Sequence, residues 1–330
     1  MRVLVLDEAA VHRLLPMADC IDEMAGVLKA LSRGDAVQPL RMVLRPEGAA
    51  GLMAVMPAYR GSSGGAGTFG LKVVGVFQGN LSKGMDAHQG LVALFSGETG
   101  EPLALVNASA VTAIRTAAVS GVATRALARD DAGDLAIVGA SVQARTHLAA
   151  MASVRSIRRV RIASRRPERA RAFAAEMAPS VPFPLQAAAN VEECVRGADL
   201  IVTATSAAAP VLRREWVSPG THLNVVGASL PEHREVDSAT IAAASLFVDR
   251  RESTLREAGD YLLAVSEGAI REGHIQAELG EVLLGRHAGR TSREEITLFK
   301  SLGLAVEDLA AAAFLHRRAG DTGAGQWVDI

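Results

Sequence analysis

Cysteine, aromatic residues and net charge are all scarce in this chain of 330 residues. The 2 cysteines, Cys20 and Cys194, lie far apart in the sequence. No cysteine–histidine pair has the spacing of zinc ligands, so we expect a reduced compartment and no metal site. The 35 Lys and Arg residues nearly balance the 36 Asp and Glu residues, and this balance does not favour a nucleic-acid partner.

Long apolar runs are also missing. None reaches the ~18 residues that a membrane span needs, and the acidic start after one short apolar run is not typical of a signal peptide. We therefore expect a soluble, cytoplasmic protein without a membrane partner. Hydrophobic residues make up 49% of the chain, enough for a large core, and domains of roughly 100–200 residues would divide the chain into two.

The first third of the sequence is typical of an α+β region. Residues 11–33 carry apolar side chains at three- and four-residue spacing and Gly34 follows, which predicts a helix. Strands without intervening helices come next, which indicates an antiparallel or mixed sheet. The expected strands are 40–44, 52–56, 70–77 and 90–95, with turns at 61–67 and 97–100.

From residue 109 onward, helices and strands alternate. This alternation predicts an α/β fold with a Rossmann-type doubly wound parallel sheet. The expected helices are 109–128, 144–154, 167–177, 191–196 and 237–244, and an amphipathic helix over 302–318 ends the chain. The expected strands are 135–138, 160–163, 200–204, 222–226 and 246–249.

Residues 134–144 run from an apolar strand through a tight turn into a helix. In the dinucleotide pattern G-x-G-x-x-G/A, Gly139 holds the first position and Ala144 the third, but Ser141 replaces the second glycine. Free N–H groups at the helix start bind pyrophosphate well. A Rossmann-like domain that binds another ligand, or none, is the alternative. The expected cofactor-binding residues here are Gly139, Ala140, Ser141, Val142 and Gln143.

The second expected strand of this region ends at Ser164, Arg165 and Arg166. NAD enzymes place an acid there for the ribose 2′-hydroxyl. A hydroxyl and two guanidinium groups favour a 2′-phosphate instead, so we expect NADPH, with NADH as the alternative, unless the arginines are only surface residues. Further candidates near the nicotinamide, each of which could instead cap a helix, are Thr205, Ser206, Lys300 and Ser301.

Three cations stand in apolar surroundings before the nucleotide turn. Arg115 shares a helix face with apolar side chains such as Val111 and Val119. Lys72 lies within an apolar strand, and Arg41 points away from its apolar neighbours. Each alone could be a snorkelling edge residue, but three together indicate a pocket for a carboxylate. His88 is either a structural histidine at a strand start or part of this pocket.

The chain resembles the ornithine cyclodeaminase/mu-crystallin family across nearly its whole length. The matching stretches include Gln-Pro-Leu-Arg at 38–41, Met-Pro-Ala-Tyr at 56–59, Gly-Leu-Lys at 70–72, His-Gln at 88–89, Thr-Ala-Ile-Arg-Thr-Ala-Ala at 112–118, residues 138–144, Val-Gly-Ala-Ser at 226–229, Gly-Asp at 259–260, Ala-Glu-Leu-Gly-Glu at 277–281 and residues 299–308. The resemblance implies that Arg41, Lys72 and Arg115 bind a substrate carboxylate. It also implies a substrate-binding and homodimerisation domain of residues 1–116 and 308–330, and an NAD(P)-binding domain of residues 117–307. The family usually has glycine at the position of Ser141.

One departure separates two branches of the family. Ornithine cyclodeaminases carry an aspartate that acts on the substrate amino group where this chain has Ser229, and a lone serine cannot replace a general base. The resemblance therefore implies a mu-crystallin-like ketimine reductase that uses NADPH to reduce the C=N bond of cyclic imino acids such as Δ1-pyrroline- or Δ1-piperideine-2-carboxylate. The candidate catalytic residues are Lys72, Arg115, Arg41, Ser229 and His88, with Lys72 before His88 as proton donor.

Other activities fit the same residues. An amino-acid dehydrogenase or N-alkyl amino-acid dehydrogenase also passes through an imino acid, so the same carboxylate pocket would serve it. A mu-crystallin-like protein that binds a carboxylate ligand without turnover would need the same three cations. Ornithine cyclodeamination is disfavoured by Ser229.

Overall fold

The computed structural model describes residues 2–62 and 65–329, apart from the side chains of Gln78, Leu81 and Ser82. The chain divides into two compact units, Met1–Thr116 with Gly303–Ile330, and Ala117–Leu302. The expected return to the first unit, at residue 308, falls inside a helix. The first unit resumes at Gly303 instead, because the final helix begins at Ala305.

The helices and strands follow in chain order. The helices are α1 Glu8–Leu14, α2 Met17–Arg33, α3 Ala108–Leu127, α4 Val142–Val154, α5 Pro167–Met177, α6 Val191–Val195, α7 Ser238–Ala243, α8 Arg251–Glu257, α9 Gly259–Ser266, α10 Leu279–Leu283 and α11 Ala305–Thr322. The strands are β1 Arg2–Leu6, β2 Ala36–Val37, β3 Met42–Leu44, β4 Leu52–Ser62, β5 Gly65–Val76, β6 His88–Ser96, β7 Pro102–Asn107, β8 Asp134–Val138, β9 Arg159–Ala163, β10 Leu185–Ala187, β11 Leu200–Thr203, β12 His222–Val225, β13 Ser245–Val248, β14 Ile275–Glu278, β15 Thr297–Lys300 and β16 Gln326–Asp329. None of these helices is both long and apolar enough to cross a membrane.

The first unit is built on a mixed sheet of eight strands. Its order is β16-β1-β7-β6-β5-β4-β2, with β3 paired to β4, and only β1 and β7 run parallel. Helix α11 packs on β4, β5 and β6, as well as on α2. Side chains alternate across a strand, and Ala54, Met56 and Ala58 are buried on the side that α11 covers. Lys72 pairs with Met56 across the sheet and therefore lies on this covered face.

Two local predictions for the first unit are wrong. The expected helix 11–33 is split into α1 and α2, because Pro16 has no N–H to continue the hydrogen-bond ladder. Asp7 caps α1 by accepting the N–H of Ala10 at 2.8 Å. The expected turn at 61–67 is mostly strand, since β4 and β5 remain paired as far as Ser62 and Gly65; Ser63 and Gly64 lie outside the described residues.

The second unit is the doubly wound sheet that the alternation predicts. Its eight strands are all parallel, in the order β10-β9-β8-β11-β12-β15-β13-β14. Every residue of β11 and β12 is buried, as a parallel sheet requires when both faces are covered. The strand order reverses between β8 and β11, and the carboxyl ends of strands at such a switch point are where these folds bind ligands.

Candidate functional site

The two buried cations of the first unit already have carboxylate partners. Lys72 and Arg115 are each only 4% exposed. The Lys72 Nζ donates hydrogen bonds to Thr112 Oγ1 at 2.7 Å and to Asp308 Oδ1 at 3.0 Å. Arg115 donates from Nε to the same Asp308 oxygen at 3.1 Å and from Nη1 to Glu307 Oε2 at 2.9 Å. The anion that Arg115 needs on its apolar helix face is thus supplied by the chain itself.

The first turn of α11 holds these two carboxylates in place. Glu307 Oε2 also accepts the N–H of Leu304 at 3.1 Å, and Asp308 is fully buried. The expected carboxylate pocket of three cations is therefore incomplete, because two acids of α11 belong to the same cluster. The signal was present in the sequence: two adjacent acids stand among Leu304, Val306 and Leu309, where an apolar helix would rarely carry unpaired charge.

Arg41 lies at the same helix start. Its Nη2 donates to the carbonyl oxygen of Gly303 at 3.2 Å. Gly303 has φ +81°, and an added Cβ would come within 2.7 Å of Arg115 Nη1, so only glycine lets this backbone pass the guanidinium. The start of α11 thus brings Arg41, Lys72 and Arg115 together with Glu307 and Asp308.

Burial and neighbouring charges tune the acid–base groups of this cluster. Burial lowers the pKa of Lys72 to about 8, while Asp308 opposes the fall and Arg115 adds to it. Burial would raise the pKa of Asp308, but Arg115 and Lys72 together hold it below its usual value. Desolvation lowers the pKa of His88, and the positive charges of Lys72 and Arg115 lower it further. His88 is therefore neutral at pH 7, exposed, and electrostatically coupled to both cations.

In the second unit, the turn after β8 has the geometry of a phosphate-binding turn. Gly139 has φ +124°, and a Cβ there would lie 2.4 Å from the Ala204 carbonyl oxygen. Ser141 is the N-cap of the 13-residue helix α4, and its side chain caps none of the described N–H groups. Its φ of −109° is ordinary extended backbone, so serine replaces the usual glycine without strain. With Ala140, Val142 and Gln143, this turn fits a pyrophosphate at a helix start.

The end of β9 carries hydroxyl and guanidinium groups where an acid is usual. Ser164 is half-buried, while Arg165 and Arg166 are exposed. Ser164 Oγ accepts the N–H of Arg166 at 3.5 Å. Within residues 2–62 and 65–329, neither guanidinium has an ion-pair partner, and the next acid, Glu168, already lies in α5. These side chains suit a 2′-phosphate better than a ribose hydroxyl.

Two of the remaining candidates are held by protein groups. The Thr205 N–H and hydroxyl both donate to Glu235 Oε1 at 2.7 Å. Lys300 is 1% exposed and donates to the carbonyl oxygen of Ala228 at 2.6 Å, with Asp260 Oδ2 at 2.9 Å. Lys300 is thus held by groups inside the protein, and its place on the nicotinamide side stays a prediction.

The other candidates are serines, whose hydroxyl groups can form hydrogen bonds. Ser206 and Ser229 are exposed, at the carboxyl ends of β11 and β12. Ser301 is buried, and its Oγ has no hydrogen-bond partner in the part of the chain that the structure describes. Residues 2–62 and 65–329 contain no group of His, Cys, Asp and Glu side chains that could hold a metal ion.

The chain and its fold have relatives among known proteins. The model of the ornithine cyclodeaminase/mu-crystallin family matches residues 1–323. The chain belongs to this family. A Δ1-pyrroline-2-carboxylate reductase of Bacillus cereus is 38% identical over 329 residues, 99% of this chain and 100% of the relative. The ketimine reductase mu-crystallin of Rattus norvegicus is 40% identical over 283 residues, 86% of this chain and 85% of the relative.

Solved structures share the complete fold. The Δ1-pyrroline-2-carboxylate reductase of Thermococcus litoralis, in complex with NADH and L-proline, superposes with a TM-score of 0.95 at 37% identity, covering 98% of this chain and 99% of that one. An archaeal alanine dehydrogenase dimer with bound NAD superposes with a TM-score of 0.93 at 32% identity, covering 100% of both chains.

Within the family fold, sequence reasoning found the cations and missed their buried acids. Glu307 and Asp308 face Lys72 and Arg115 in the first unit. Glu235 plays a similar part in the second unit, where it accepts hydrogen bonds from Thr205. Each pairing joins residues far apart in the sequence, so a local pattern can mark a buried acid but cannot show which residue it pairs with.

Proposed function

We propose that this chain is an NAD(P)H-dependent reductase of the C=N bond of imino acids, and that Δ1-pyrroline-2-carboxylate is a substrate. Arg41, Lys72 and Arg115 carry the proposal: the three cations lie together at the start of α11, where they suit the carboxylate of an imino acid. The names of the Bacillus cereus and Thermococcus litoralis relatives support the same substrate, and the mu-crystallin relative supports Δ1-piperideine-2-carboxylate and other ketimines as further candidates.

The cluster also contains a candidate donor for the proton that imine reduction needs in addition to hydride. A bound nicotinamide would supply the hydride, and the imine nitrogen must gain one proton to give the amine. In this proposal the substrate carboxylate binds Arg41 and Arg115, and the Lys72 ammonium donates the proton. A pKa of about 8 keeps Lys72 mostly protonated at neutral pH, yet makes it a stronger acid than an ordinary lysine. His88 is the second candidate donor, and its lowered pKa makes it the weaker choice.

We further propose that the chain prefers NADPH to NADH. The support is the end of β9, where Ser164, Arg165 and Arg166 offer a hydroxyl and two exposed guanidinium groups. No acid lies between the end of β9 and Glu168. The solved relatives contain NADH or NAD, so the proposal concerns a feature of this chain rather than of the whole family.

We propose that the first unit forms a homodimer through its uncovered sheet face. On the face opposite α11, Met53, Phe69 and Leu91 are exposed, and the neighbouring strand β3 exposes Met42 and Leu44 to 71% and 63%. Large contiguous apolar patches on a monomer are rare and mark interaction sites. The dimeric state of the alanine dehydrogenase relative supports a second copy of this chain as the partner.

A substrate panel tests the reaction. We expect NADPH oxidation with Δ1-pyrroline-2-carboxylate, and little with pyruvate plus ammonia or methylamine, which a dehydrogenase would use. Ornithine should release no ammonia, since Ser229 cannot act as the missing aspartate. Tight NADPH binding without turnover of any imino acid would refute the proposal and favour a binding protein.

Two single arginine variants test the pocket. Arg115→Ala removes a buried cation that would bind the substrate carboxylate. By analogy with the removal of one partner of a buried charge pair, which costs about 3–5 kcal/mol, transition-state binding should fall by several kcal/mol. Arg317→Ala removes an exposed arginine of α11 that pairs with Glu23, and should leave kcat/KM unchanged. If a folded Arg115→Ala variant reduces imino acids as well as wild type, the proposed pocket is wrong.

A further inference from the structure

A single buried carboxylate joins the ends of two central strands in the second unit. Glu235 is fully buried. Its Oε1 accepts the N–H and the hydroxyl of Thr205, both at 2.7 Å, and its Oε2 accepts the hydroxyl of Thr203 at 2.9 Å and the N–H of Gly227 at 2.6 Å. Thr203 and Thr205 lie at the end of β11, while Gly227 follows β12, so Glu235 ties two adjacent carboxyl ends together.

A second contact, through Lys300, also fixes the loop 226–229. Lys300 donates to the Ala228 carbonyl oxygen at 2.6 Å and pairs with Asp260 at 2.9 Å. Asp260 Oδ1 in turn accepts the N–H groups of Glu235 at 2.7 Å and of Val236 at 3.1 Å. Lys300 and Asp260 are as deeply buried as Glu235, so the three form one continuous charged network beneath the loop.

The atoms around Gly227 leave no room for a side chain. A Cβ on this glycine would lie 2.1 Å from the Thr205 carbonyl oxygen and 2.6 Å from Glu235 Oε1. The loop can therefore approach β11 this closely only with glycine at this position. Ser229, which distinguishes the two branches of the family, is exposed two residues further on.

The strand order indicates which half of a bound dinucleotide would lie near this network. The pyrophosphate turn follows β8, and the end of β9, on one side of β8, is the adenosine side. Strands β11 and β12 lie on the other side of β8, which is the side left for the nicotinamide half. We propose that Glu235, with Asp260 and Lys300, positions Thr205 and the loop 226–229 for the nicotinamide end of the cofactor. This inference rests on the proposed function, because it requires that the chain bind NAD(P)H.

Glu235→Gln is the informative substitution, because an amide cannot replace this carboxylate in either orientation. Each carboxylate oxygen accepts one backbone N–H, from Thr205 or from Gly227. A glutamine would set its own NH2 against one of them, and a backbone N–H cannot turn round to accept. One strand end must then move, or a buried N–H loses its partner.

The experiment compares two ligands by isothermal titration calorimetry on the full chain. NADH contains the nicotinamide end, whereas ADP-ribose lacks it. We expect Glu235→Gln to weaken NADH binding about tenfold and to leave ADP-ribose binding within about twofold. Thr203→Val, which removes one hydroxyl donor from outside the loop, should weaken NADH binding several-fold, and it keeps the test available if Glu235→Gln fails to fold.

Thr297→Val is the matched control. Thr297 is a buried threonine of the same sheet whose hydroxyl is also hydrogen-bonded, but it lies at the amino end of β15, so both affinities should match wild type. Equal losses for NADH and ADP-ribose, or unchanged NADH binding in folded Glu235→Gln and Thr203→Val, would overturn this inference alone. A wild-type chain that binds neither of these ligands nor NADPH would overturn the proposed function as well.

Discussion

Asp308→Asn gives the sharpest test of the proposed chemistry. The substitution keeps the shape of the side chain but removes its charge, and Asp308 Oδ1 accepts both Lys72 Nζ and Arg115 Nε. Asp308 raises the pKa of Lys72 against the effect of burial, and the resulting pKa is about 8. Without this negative charge the protonated form of Lys72 is less stable, so the pKa of Lys72 falls further.

The size of the fall follows from the lost charge. The amide oxygen can still accept a bond from the ammonium, so what disappears is the attraction between two opposite charges. Two unit charges about 4 Å apart attract by about 1 kcal/mol in water and by about 4 kcal/mol at an effective dielectric constant of about 20. One pKa unit corresponds to about 1.4 kcal/mol, so we expect the pKa of Lys72 to fall by at least about one unit. In the proposed mechanism reduction needs protonated Lys72, so kcat/KM falls as the pH rises through its pKa. We expect this alkaline limb near pH 8 in wild type and at least about one pH unit lower in the variant.

The assay is NADPH oxidation with Δ1-pyrroline-2-carboxylate, recorded as kcat/KM from pH 5.5 to 9.5. Protonation of the free imine also shapes the profile, but it is the same for every variant, so the difference between profiles reports on the protein. Asp321→Asn, on an exposed aspartate of the same helix, is the matched control and should reproduce the wild-type profile. If Asp308→Asn is folded, active and has an unshifted alkaline limb, then Lys72 is not the proton donor.

Three further predictions concern the cofactor and the assembly. Gly139→Ala places a Cβ 2.4 Å from the Ala204 carbonyl oxygen, so NADPH affinity measured by calorimetry should fall more than about tenfold; an unchanged affinity would contradict the assigned turn. Arg165→Ala should raise KM for NADPH more than KM for NADH, and an unchanged ratio would remove the basis for NADPH preference. Leu44→Glu should convert the dimer to a monomer in light scattering, whereas Arg45→Glu on the adjacent exposed residue should not; a dimer in both would place the interface elsewhere.

Local patterns predicted much of the fold, because they reflect local physics. Helix α5 was predicted with its observed bounds, Pro167–Met177, since a proline at the first position and an apolar periodicity define it. The break between α1 and α2 was also visible in the sequence, as Pro16 stands within the periodic stretch. The short strand β15, Thr297–Lys300, was not predicted.

The candidate site was predicted only in part, and for a different reason. Single cations in apolar stretches stand out in a sequence, so Lys72 and Arg115 could be found. Their acids, Glu307 and Asp308, looked like ordinary acids at a helix start. Only the folded chain joins positions 236 residues apart, the separation of Lys72 and Asp308, and the same holds for the hydrogen bonds of Glu235.

That separation also sets an order of events during synthesis. The whole second unit, Ala117–Leu302, is translated between the cations of the first unit and the acids of α11. Until the ribosome has released α11, Lys72 and Arg115 have no acid partner from that helix, and the inner face of the sheet has no cover. The second unit can therefore fold before α11 completes the first unit, and the cation cluster gains its acids last.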